Sequence, residues 1–102
     1  MKQIQMLTEQ IAEEIEDAKK YATLAMEMKE SDPDLAKMYF SLSQQEMEHM
    51  QILHKAAAEM IQKYREEKGE PPAAMMAVYN YLHEKQIKNA AEVKSLQSMY
   101  RE

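Results

Sequence analysis

The sequence predicts an all-α protein: a long antiparallel helical hairpin followed by a third, C-terminal helix. Three observations carry this. Helix-favouring Ala, Glu, Lys, Gln, Met and Leu run through nearly all of the 102 residues, which include one Gly and three Pro. Those few helix-breaking residues cluster in two short segments. Elsewhere the apolar residues recur at spacings of three and four, the period of one helix face. A single domain over residues 1–102 is expected at this length, with a core small enough that oligomerisation is a ready way to bury more apolar surface.

The first helix is placed at about 3–30, with an apolar stripe of Leu7, Ile11, Ala18, Tyr21, Ala25 and Met28. Ser31-Asp32-Pro33-Asp34 ends it and starts the next, supplying an N-cap candidate followed by Pro at the first helical position. The second helix covers about 33–67, with Leu35, Tyr39, Leu42, Met50, Leu53, Ala57, Met60 and Tyr64 as its stripe. A turn this short folds the two helices into a hairpin over 3–67. Lys68-Gly69-Glu70-Pro71-Pro72 combines a helix-stopping Gly with two prolines, which gives a linker at 68–71 and a third helix at 72–100. That helix is expected to break near Lys88-Asn89, because its apolar spacing shifts register after Leu82.

Composition excludes several functions. Eighteen acids against thirteen bases give a net charge of −5, and no basic stripe with interleaved aromatics occurs, so nucleic acid is not an expected partner and cations are. A single Gly argues against a phosphate-cradling loop. The absence of Cys rules out a thiolate metal site, an iron–sulfur cluster or a cysteine nucleophile in this sequence. No apolar run approaches the roughly 20 residues of a membrane span, and no signal peptide is visible, so a cytoplasmic location is expected.

The chemistry lies in two acids that sit among apolar residues. Glu14 falls in the middle of the first stripe, and Glu46 in the middle of the second, with His49 one turn further on. A buried carboxylate costs several kcal/mol unless pairing, protonation or a metal neutralises it. Glu14 lies about 17 residues before the turn and Glu46 about 15 after it, so at 1.5 Å per residue the two meet at nearly one height. No Lys or Arg occupies either stripe, and two converging carboxylates repel unless a divalent cation binds between them. Carboxylate oxygens with an imidazole nitrogen suit Fe, Mn or Zn. Di-metal carboxylate bundles take a Glu from each of two helices and a Glu-x-x-His from each of two others. This chain supplies half of that set, so a homodimer is expected to supply the rest.

Other residues have plainer readings. The eleven methionines are spread over all three helices at core-like spacing and read as core filler rather than copper ligands. Tyr39 and Tyr64 read as amphipathic core, His54 and His83 as surface or boundary residues, and Glu9, Glu13, Glu16, Asp17 and Glu48 as a solvated face.

Glu14 followed by Tyr21, then Glu46-Met47-Glu48-His49, resembles the Glu-x6-Tyr and Glu-x-x-His half-motif of ferritins and rubrerythrins. The single hairpin is most similar to the encapsulated ferritins, where an iron pair sits between chains. The resemblance implies a ferritin-like four-helix bundle formed by a homodimer, in a ring of such dimers at most. Glu14, Glu46 and His49 would be iron ligands and the catalytic residues, and Tyr21 would orient one of them through a hydrogen bond. The implied activity is that of a ferroxidase: Fe(II) is oxidised by O2 and passed on for storage or detoxification. An encapsulin shell is the implied further partner, although the closing Leu96-Gln97-Ser98-Met99-Tyr100-Arg101-Glu102 is not the flexible linker and apolar tail of such cargo. The lack of Cys removes the rubredoxin iron centre of full-length rubrerythrins, so peroxide reduction would need an outside electron donor. The competing expectation is a metal-free structural protein that homodimerises through the same stripes.

Overall fold

A computed structural model describes residues 2–102. It contains three helices, α1 (Lys2–Met28), α2 (Pro33–Lys68) and α3 (Ala73–Arg101), and no strand among the described residues. Local chemistry sets the boundaries. Asp32 caps α2, its Oδ1 accepting from the Leu35 amide at 3.2 Å, with Pro33 opening the helix. Gly69 ends α2 with φ +83°, a left-handed conformation that other residues adopt at a cost, and its amide donates to the Arg65 carbonyl at 3.1 Å.

The helices pack into a rod of 55 × 19 × 18 Å. Its seam is lined with small residues, Ala18, Ala22 and Ala25 of α1 and Ala36 and Ala57 of α2, all fully buried or nearly so. Ile11, Ile15, Ala18 and Met47 form the core with Val93 of α3. Ser43 is fully buried and donates to the Ala18 carbonyl at 2.7 Å, while Gln97 donates to Ser43 Oγ at 3.0 Å. These bonds satisfy the polar groups that tie all three helices together.

α3 runs unbroken through residues 88 and 89, contrary to the sequence expectation. Its inward line is continuous through Tyr79, Leu82, Gln86, Asn89, Val93, Gln97 and Tyr100, all buried or half-buried. The apolar register is interrupted by a polar side chain, not shifted. Gln86 keeps its place on the line by donating from Nε2 to the Thr8 carbonyl at 3.1 Å.

The buried face of the hairpin also differs from the stripes read in the sequence. On α1 the buried residues are Ile4, Thr8, Ile11, Ile15, Ala18, Ala22 and Ala25, whereas Leu7, Glu14, Tyr21 and Met28 are half-buried. On α2 they are Ala36, Ser43, Met47, Ala57 and Ile61, whereas Leu35, Tyr39, Leu42, Glu46, Met50, Leu53 and Tyr64 are half-buried and Met60 is exposed. At about 100° per residue, both faces are turned by roughly 60–70° from the expected stripes. α3 causes this turn, since it covers one side of the hairpin, contacting α1 through Lys19–Glu92 and α2 through Phe40–Tyr100. The other flank of the hairpin stays half-exposed.

Candidate metal centre

Glu14 lies on that flank, in a line with Leu7, Tyr21 and Met28, each seven residues from the next. Seven residues are close to two turns, so the line runs straight along α1. Across the seam, α2 presents Tyr39, Leu42, Glu46, His49 and Leu53 to the same side. The antiparallel hairpin brings Glu14, Glu46 and His49 to one height, with one donor atom of each within 4.8 Å of the others. His49 Nδ1 stands 3.6 Å from Glu14 Oε2 and 3.9 Å from Glu46 Oε1.

The electrostatics of this cluster are incomplete. Glu14 Oε2 is buried and has no hydrogen-bond partner, an arrangement that leaves the desolvation of a polar oxygen uncompensated. The Glu46 carboxyl is pushed from 4.5 up to about 7. A proton shared with Glu14 contributes most, then burial, then the charge of Glu14; Asp17 adds a little and His49 opposes. The side chains are 26%, 20% and 55% exposed for Glu14, Glu46 and His49, so the group is sheltered by its own helices and reachable from one side. Two crowded carboxylates, an orphaned oxygen and an adjacent imidazole are the donor set of a transition-metal site, and these residues fit one.

A family model described as Rubrerythrin matches residues 5–102. The chain belongs to the rubrerythrin family. Rubrerythrins are iron-binding redox proteins of the ferritin-like di-iron superfamily, and the three-helix fold of this chain is consistent with that group. No curated protein and no solved structure matches the chain significantly. No helix among the described residues is long and apolar enough to cross a membrane.

In this rubrerythrin-family chain the structure places two expected features differently from the sequence reading. Glu14 and Glu46 sit at the edges of the buried faces rather than at their middles, because α3 draws the core to one side. Tyr21 stacks on Tyr39, with ring centres 6.1 Å apart, and no hydrogen bond among the described residues joins its hydroxyl to Glu14, Glu46 or His49. Sequence reasoning also missed a second group. His54 and His83 stack with ring centres 4.7 Å apart, with His54 about 80° round α2 from Glu46. The signal was present: Tyr79 and His83 are four residues apart on α3, one face of one turn.

Proposed function

We propose that two copies of this chain pair through the half-exposed flank to form a di-iron ferroxidase centre, oxidising Fe(II) with O2 for iron storage or detoxification. One observation carries the reading: three metal-ligating side chains converge on the one flank of the hairpin that the chain leaves uncovered, and a buried carboxylate oxygen among them has no partner. Half of a di-metal ligand set on a half-covered helical face is completed by a two-fold copy, which doubles Glu14, Glu46 and His49 and gives Leu7, Tyr21, Met28, Tyr39 and Leu42 a surface to bury against. The encapsulated ferritins, in which one hairpin serves twice, supply the pattern for this pairing and for a ring of such dimers inside a shell.

Iron is the substrate. Two Fe(II) ions give up one electron each, and with two protons these reduce O2 to hydrogen peroxide. Glu14 and Glu46 hold the cations and compensate their charge, and His49 supplies a neutral nitrogen from the exposed side. The Glu46 proton, held near neutral pH by the neighbouring carboxylate, leaves when a cation takes its place. Tyr39 and Tyr21 close the turn-side end of the flank with apolar ring faces. Manganese or zinc can occupy the same donors, so metal selectivity is a property to measure.

Metal analysis and oxygen uptake test the proposal. The purified protein is expected to carry about one iron per chain and to consume O2 on Fe(II) addition. Failure to bind iron, with a melting temperature indifferent to chelator, overturns it and leaves the metal-free structural reading.

A further inference from the structure

α3 is fastened to α2 at two places. Near the turn, Phe40 stacks on Tyr100 and Gln97 binds Ser43. Further along, the rings of His54 and His83 lie parallel to within 5° at 4.7 Å between centres. Between these fastenings lies a groove of about 340 Å³, lined from α1 by Ile11 and Ile15. Met50 and His54 of α2 and His83 of α3 all line it. Met50 and His54 are four residues apart, hence on one face of α2.

Two imidazole side chains and one thioether side chain, from two helices, thus border one space. The rest of the wall selects among metals. No carboxylate lines the groove among the described residues, and its one charged side chain is Lys94. A hard, strongly hydrated divalent ion would gain no anionic ligand there and would meet a cation. A soft ion of low charge keeps favourable donors in Met50 and the histidines, and thioether with imidazole is the donor set of Cu(I). Distance permits it. An ion bound at about 2.0–2.1 Å by one nitrogen of each ring needs ring centres about 5–6 Å apart, close to the separation seen. Aiming both nitrogens at one point takes a turn about χ2, a broad torsion for His. Burial lowers the pKa of His54, in the direction of the neutral ring.

We propose that Met50, His54 and His83 form a Cu(I) site that joins α2 to α3, beside α3 rather than on the uncovered flank that carries Glu14, Glu46 and His49. The site stands independently of the iron reading, because it shares no residue with that cluster.

The test is anaerobic competition of the full-length protein with the chromophoric Cu(I) complex of bicinchoninate. One Cu(I) withdrawn per chain is expected, with affinity reduced at least tenfold in His54→Gln combined with His83→Gln. Met50→Leu conserves volume and so retains the fold; it is expected to weaken Cu(I) severalfold, and it decides the matter if the double variant does not fold. Uptake should persist in Glu46→Ala. Four results overturn the proposal: no withdrawal of Cu(I), equal uptake by a folded double variant, an affinity unmoved by Met50→Leu, or loss of uptake in Glu46→Ala, which would move the copper to the carboxylate cluster.

Discussion

The two flanks of the α1–α2 hairpin are built from the same helices and treat polar groups in opposite ways. On the flank that α3 covers, every buried polar side chain has a partner within the chain: Ser43 binds the Ala18 carbonyl, Gln97 binds Ser43, and Thr8 donates to the Ile4 carbonyl at 2.8 Å. On the other flank, Glu14 Oε2 is buried without a hydrogen-bond partner, and Glu46 holds a proton more tightly than an ordinary carboxyl. The first pattern is that of a core, whose polar atoms serve the fold. The second is that of the proposed site, whose polar atoms are left for a bound metal and a second copy to satisfy. On the proposed function, the contrast lets one helix pair be stable and reactive at once.

Exchanging a residue on one flank should therefore change stability, and on the other, chemistry. The largest effect is expected from Glu46→Ala, which should reduce Fe(II)-dependent O2 consumption to background while the circular-dichroism spectrum stays helical. Retention of activity would break the contrast. Next, Ile15→Ala on the covered side removes a side chain 4% exposed and should cost about 2–5 kcal/mol in denaturant melts. Ser43→Ala leaves the Gln97 amide without its acceptor and should cost about 1–3 kcal/mol, a fall in melting temperature of several degrees. Both variants should keep iron oxidation per folded chain.

A further effect concerns pH. Because the folded state binds the Glu46 proton more tightly than the unfolded state does, this group makes the metal-free protein lose stability as pH rises from about 4.5 to about 7, with no further change outside that window. Melts in chelator at pH 5 and pH 8 should show a shallower dependence in Glu46→Gln than in wild type. An unchanged slope would mean that the two carboxyls do not share a proton.

The fold was largely legible in the sequence. Asp32-Pro33 and Gly69 punctuate the chain strongly enough to fix the helices within a few residues, and the heights of Glu14 and Glu46 about the turn follow from counting. The side of each helix that faces inward was less legible. The apolar stripes are wide enough for two neighbours apiece, and periodicity cannot say which neighbour comes from the same chain. The stripes as read pointed along the uncovered flank, so Ile4, Ile15, Ser43 and Ile61 were missed and Glu14 and Glu46 were placed too deep. Gln86 and Gln97 were illegible for another reason. They occupy core positions through hydrogen bonds to Thr8 and Ser43, and such long-range pairs leave no periodic trace.

In the proposed assembly one chain carries half of a metal site and a second copy completes it. Anaerobic Fe(II) titration followed by analytical sedimentation, for wild type and Glu14→Ala side by side, tests it most directly. Iron should drive the wild-type chain from monomer towards a dimer holding about two ions, with Glu14→Ala left unchanged, since binding that requires two chains favours their association by mass action. A wild-type monomer that holds two irons at every protein concentration would contradict it.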